Sequence, residues 1–129
     1  MSANTKLVDD FCAAWPSMDI EKIMSFFAED AVYTNVPIDP PNEGLEAIRK
    51  TIEGFMGMAQ GIRFEVHHQT ENAQGVVMNE RTDHFDLGDR TASGQVMGVF
   101  EIADGKITAW RDYFDMAQFM AGFNPPAEG

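Results

Sequence analysis

A chain of 129 residues fits one domain, 1–129, and is long enough to bury a core without disulfides or bound metal. Its net charge of −12, with nine basic residues against 21 acidic ones, leaves no cationic surface for nucleic acid or an anionic membrane. The lone cysteine, Cys12, excludes an intramolecular disulfide and fits a reducing compartment.

MSANTKLVDDF at the start carries no apolar stretch long enough for a signal peptide, and no run approaches a membrane span, so a cytoplasmic protein is expected. Leu7, Phe11, Ala14 and Trp15 recur at helical spacing until Pro16 ends the segment. Asp19 is placed to cap a second helix whose apolar stripe is Ile20, Ile23, Met24 and Phe27. AVYTNV (31–36) is a short β-rich segment, and the prolines at 37, 40 and 41 force a loop after it. A third helix carries Leu45, Ile48, Ile52, Phe55 and Met56 on one side and is closed off by Gly57 and Gly61.

From there the period becomes two. IRFEVHHQTE, GVVMNERTDHFDL, TASGQVMGVFEIA and KITAWRDYF read as strands separated by the turn signals ENAQG, GDR and ADGK, and such short links imply an antiparallel meander. Residues 115–122 suit a short final helix and NPPAEG, about 124–129, a flexible tail. Helices followed by a long sheet make an α+β domain. The expected form is a curved, mixed but mostly antiparallel sheet, an open cone with the three N-terminal and central helices packed inside it and an apolar pocket at its open end.

Three strands break their own pattern. Val77, Asn79, Arg81, Asp83 and Phe85 share one face of NERTDHFD and its flank, so a charged pair stands where core residues belong. Tyr33 and Asn35 share a face of the first strand, and Asp112 lies between Trp110 and Phe114 on the last. A buried ionised carboxylate is costly unless paired, protonated or used. If these faces converge, one guanidinium serves two carboxylates, and a single proton between the aspartates neutralises the cluster. That environment separates one aspartic acid from one aspartate, the pairing needed for general acid and general base catalysis. A purely structural Asp–Arg–Asp triad is the alternative, because structural ion networks also perturb pKa values.

Tyr-x-Asn on the first strand, Arg-x-Asp on a middle strand and the Asp of WRDYFD on the last resemble the limonene-epoxide hydrolase family. That family lies within the cone-shaped fold shared by ketosteroid isomerases and SnoaL-like polyketide cyclases. The resemblance runs from the helical start through the RDYFD strand. It implies addition of water to a small-to-medium lipophilic epoxide, in one step and without a covalent intermediate, to give a vicinal diol. Asp112, helped by Tyr33 and Asn35, would hold a water and take its proton; Asp83, protonated, would donate to the epoxide oxygen; Arg81 would bridge the two. No cofactor is implied.

Two other functions stay open. A ketosteroid-isomerase-like proton transfer needs a base and an oxyanion hole but no arginine between two aspartates. A non-catalytic binding or dimerisation module would leave five convergent polar residues unexplained. No metal site is expected: His67 and His68 point to opposite faces, and His84 faces away from Arg81. Gly54, Gly57 and Gly61 do not make a phosphate loop. Cys12, beside Phe11 on an amphipathic helix, reads as a small buried hydrophobe. Alternation nominates Trp15, Met56, Phe85, Val96, Phe100, Trp110, Phe114 and Phe119 as an apolar substrate pocket. The outer sheet face, with Val76, Met78, Val99 and Tyr113, is expected to pair two copies as a homodimer.

Overall fold

The structure, a computed structural model, describes residues 2–36, 38 and 40–123; the tail expected at 124–129 lies outside the described residues. Helix α1 (Ala3–Ala14) starts where the Ser2 hydroxyl accepts the Thr5 N–H at 3.0 Å, and it turns Val8, Phe11, Cys12 and Ala14 inward. Pro16 sits in a single 3-10 turn (Trp15–Ser17), after which Met18 takes a left-handed conformation (φ 55°) and the chain reverses. Asp19 then caps α2 (Ile20–Met24), its carboxylate accepting the Lys22 N–H at 3.2 Å.

Phe27 departs from the helical stripe that its spacing predicts. It opens strand β1 (Phe27–Val36), which therefore starts four residues before the predicted Ala31. The cause is tertiary: the Ile107 N–H donates to the Phe26 carbonyl at 2.8 Å, and Phe27 itself pairs with Ile107, so sheet pairing overrides the local i, i+4 pattern. A two-residue strand, β2 (Asn42–Glu43), leads into α3 (Gly44–Met58), which buries Ile48 and Ile52.

Strands β3 (Gly61–Glu71), β4 (Val77–Asp86), β5 (Thr91–Ala103) and β6 (Lys106–Phe114) form the expected antiparallel meander, and α4 (Met116–Phe123) follows. The β5–β6 hairpin turns through Asp104 (φ 52°) and Gly105 (φ 73°), two successive left-handed residues that match the twist of the flanking strands. The six-stranded sheet has the order β2-β1-β6-β5-β4-β3, and β1 joins β6 in parallel. Register shifts in β1, β3 and the β5–β6 ladder bend it into a cone.

The helices fill the concave side. Phe11 anchors this core, its ring standing edge-on to Trp15, Phe27, Phe100 and Trp110 at 5.0–5.9 Å between centroids. Burial along β4 alternates strictly, with Val77, Asn79, Arg81, Asp83 and Phe85 all inside.

Candidate active site

Arg81 has no exposed surface, yet every one of its five N–H groups finds an acceptor. Its Nε donates to Asp83 Oδ1 (2.9 Å), and its Nη2 donates to both Asp83 Oδ2 (2.9 Å) and Asp112 Oδ2 (2.8 Å). Nη1 donates to Asp112 Oδ1 (3.2 Å) and to Asn79 Oδ1 (3.1 Å). The Phe64 ring lies under the guanidinium, 4.7 Å from its centroid to Cζ. One planar cation thus holds two carboxylates in a fixed relation, which an ammonium could not do.

β1 completes the cluster because it runs parallel to β6 with Asn35 opposite Asp112 and Tyr33 opposite Trp110. The Tyr33 ring stacks on the Trp110 indole at 4.1 Å and 6°, and its hydroxyl donates to Asn35 Oδ1 at 3.0 Å. Trp110 in turn donates its indole N–H to Asp112 Oδ1 at 2.6 Å. Asp112 therefore accepts three N–H bonds and Asp83 two.

Burial pushes the Asp112 carboxyl up to about 6; the Arg81 guanidinium pulls against this and the neighbouring Asp83 carboxylate adds to it. Because the two carboxyls share one cation, this titration belongs to the pair. Burial also holds the Tyr33 phenol well above its ordinary value, so it remains a proton-bearing donor. The Cys12 thiol is pushed up to about 12, mainly by burial, and is inert beside the cluster.

Asp83, Asp112, Tyr33 and Asn35 line a cavity of about 180 Å³ whose remaining walls are apolar, while Arg81 lies behind the two carboxylates. Of the predicted pocket residues, Trp15, Phe85, Val96, Phe114 and Phe119 line it. Met56, Phe100 and Trp110 do not. Phe100 and Trp110 have no exposed surface and belong to the core beneath the site, where Trp110 acts from behind on Asp112; Met56 packs against the core from α3. Alternation names the inward face of a strand but cannot separate the part of it that other side chains cover.

Several lining residues escaped the sequence: Phe55 and Met58 on α3, Phe64 on β3, Ile38, and the α4 face of Met116, Met120 and Phe123. Asn79 and Gly98 also complete the site. Asn79 shares the inward face of Arg81, which alternation does reveal; Gly98, mid-strand on β5, faces Asn79 on one side and Asp112 on the other. A methyl group built on Gly98 would collide with Arg81 Nη1, so the missing side chain makes room for the guanidinium. The histidines stay outside this cluster: His67 meets Thr82 at 2.8 Å, and His84 lies between Ser93 (2.7 Å) and Glu65 (2.9 Å). Among the described residues no group of three or more His, Cys, Asp or Glu could hold a metal ion.

The family model of the limonene-1,2-epoxide hydrolase catalytic domain matches residues 2–124. The chain is 34% identical over 116 residues to the epoxide hydrolase EphG of Mycobacterium tuberculosis, covering 89% of this chain and 75% of that protein. The solved structure of an M. tuberculosis epoxide hydrolase of the limonene-epoxide hydrolase-like type superposes with a TM-score of 0.80 at 29% identity, over 94% of this chain and 89% of that one. An NTF2-like protein of Burkholderia pseudomallei, 17% identical, shares the cone fold at a TM-score of 0.84, over 97% of this chain and 100% of that one. The match along nearly the whole length, together with the Tyr-x-Asn, Arg-x-Asp and WRDYFD segments, places this chain in the limonene-1,2-epoxide hydrolase family.

Proposed function

We propose that this protein is an epoxide hydrolase that adds water to a small-to-medium lipophilic epoxide and releases a vicinal diol, in one step and without a covalent intermediate. The observation that carries the reading is the Arg81 guanidinium bonded to two carboxylates that both face one apolar cavity. With one proton on the pair the cluster is neutral, as a low-dielectric cavity requires. In the reacting complex Asp112, which accepts three N–H bonds against two for Asp83, serves as the anion, and the shared proton is delivered from the Asp83 side.

In this mechanism a water gives one hydrogen to Asp112 and the other to the Tyr33 oxygen. The Tyr33 hydroxyl is already committed to Asn35 Oδ1, which leaves the Asn35 amide N–H groups free to donate to the same water. The remaining lone pair attacks the epoxide carbon. As the new C–O bond forms and the ring C–O bond breaks, Asp112 takes the water proton and Asp83 protonates the ring oxygen, so no bare alkoxide forms in the cavity. The proton then passes from Asp112 back to Asp83 through solvent to reset the pair. The apolar walls favour an uncharged, terpene-sized epoxide.

Three further elements belong to the same reading. The chain acts as one domain, resident in the cytoplasm, and two copies pair through the outer sheet face. Met97 and Tyr113, cross-strand neighbours there, are 44% and 45% exposed and lie beside Met78 and Val99. Among the described residues no helix is long and apolar enough to cross a membrane. A single-turnover incubation with a cyclic terpene epoxide in ¹⁸O-water tests the mechanism. Label in the diol from the first turnover supports it; first-turnover diol without label, with ¹⁸O entering a carboxylate instead, refutes the one-step route. Absence of diol from every lipophilic epoxide in a panel refutes the hydrolase.

A further inference from the structure

The mechanism uses four of the five Arg81 N–H groups; the fifth leads away from the cavity. Arg81 Nη1 donates to Asn79 Oδ1 (3.1 Å), Asn79 Nδ2 donates to Gln69 Oε1 (3.1 Å), and Gln69 Nε2 donates to Asp9 Oδ1 (2.8 Å) and the Thr5 carbonyl (3.4 Å). This line starts at a guanidinium, which only donates, and ends at a carboxylate and a carbonyl, which only accept. Two amides stand between, and each could point either way. Only one of their four combined orientations pairs every group. Any other sets an N–H against an N–H, or an oxygen against an oxygen, in a region where Asn79 is 1% exposed. The acceptors on α1 therefore dictate that Asn79 turns its oxygen, and not its amide N–H, toward the buried cation.

We propose that Asn79, oriented through Gln69 by Asp9 and Thr5 of α1, is a positioning residue that sets the rotation of the Arg81 guanidinium and hence its alignment with Asp83 and Asp112. The catalytic consequence rests on the epoxide-hydrolase reading; the geometry does not. A guanidinium free to turn in its plane keeps its charge yet loses the two-sided registry. Four of its five N–H groups bind the two aspartates, Nη2 giving one to each, and a shift of one hydrogen-bond length at that point unseats both. α1 thereby becomes part of the site although none of its residues lines the cavity.

Two variants test this. Asn79→Leu keeps the branched shape and removes the acceptor; Gln69→Leu leaves Asn79 in place and removes what orients it, at a half-buried position. Both should lower kcat by about tenfold to a hundredfold, the loss typical of a misaligned reacting group, with KM within about twofold. Asp9→Asn, whose amide oxygen can still accept from Gln69, should restore near wild-type turnover, whereas Asp9→Leu should not. The second readout is independent of substrate: ¹³C NMR titration of the aspartate carboxyls in each folded variant. The step belonging to the Asp83–Asp112 pair should move in Asn79→Leu and Gln69→Leu and stay in Asp9→Asn. If that step stays put and kcat is unchanged in both leucine variants, the proposal is overturned. If wild type hydrolyses no epoxide but the titration moves as expected, the positioning role stands and the hydrolase reading fails.

Discussion

Gly98→Ala adds one methyl group in the middle of β5 and should nevertheless disable the site. At an ordinary strand position this change is favourable by about 0.5–1 kcal/mol, because alanine loses less backbone entropy on folding. Here the new Cβ would stand 3.0 Å from Asn79 Oδ1 and 3.0 Å from Asp112 Oδ1, and well inside contact distance of Arg81 Nη1. Relief requires the guanidinium to retreat by about 1 Å to restore a normal carbon–nitrogen separation. The Nη1 bonds to Asn79 and Asp112 are already 3.1 and 3.2 Å, so that movement takes at least one of them beyond hydrogen-bonding range. Overpacking costs about 1–3 kcal/mol, and loss of a charge-assisted buried bond about 1.5–3 kcal/mol more. After the backbone gain, a net loss of about 2–5 kcal/mol is expected. Urea unfolding should show this as a lower midpoint at unchanged slope, and turnover of folded protein should drop by at least about a hundredfold. A Gly98→Ala protein with wild-type midpoint and turnover within twofold would refute the claim that this glycine exists to admit the guanidinium.

Asp83→Asn and Asp112→Asn should each lower turnover by at least the roughly 10²-fold that a general acid or base supplies, as measured by diol formation. Only Asp83→Asn should be partly rescued by more reactive epoxides, since their opening needs less acid assistance; equal rescue of both would sink the role assignment. The folded protein keeps the proton shared by the Asp83–Asp112 pair up to about pH 6, where burial has lifted the Asp112 carboxyl from the ordinary 3.8, so the stability this proton contributes is complete below pH 3.8 and lost as pH rises through 6. The stability of wild type relative to Asp112→Asn should therefore fall by about 2 kcal/mol between pH 4 and pH 7, read by denaturant unfolding at each pH. The same loss of the shared proton predicts that kcat/KM declines above about pH 6; a flat profile to pH 8 would count against it. Sedimentation at micromolar concentration should give a dimer, and Met97→Glu with Tyr113→Glu should yield a folded monomer, while a wild-type monomer would dismiss the outer-face interface.

What the chain determined alone is local. Side-chain direction along an extended strand depends only on the residues themselves, so the alternation over 77–86 placed Asn79, Arg81 and Asp83 together before any partner strand was known. The Asp104–Gly105 hairpin and the Asp19 cap are local in the same sense: turn and cap chemistry act across two or three residues. Tertiary structure decided what joins segments remote in sequence. The parallel seating of β1 on β6 brings Asn35 to Asp112 and lays Tyr33 on Trp110, and the same pairing drew Phe27 out of a helical pattern into a strand. It also sorted one apolar class into two fates. Trp110 and Phe100 sank beneath the site, while Phe64, Phe55 and the α4 methionines became its walls. Nothing in hydrophobicity distinguishes a cavity wall from the core behind it. That depends on which neighbour covers the side chain, a property that exists only once the helices have filled the cone.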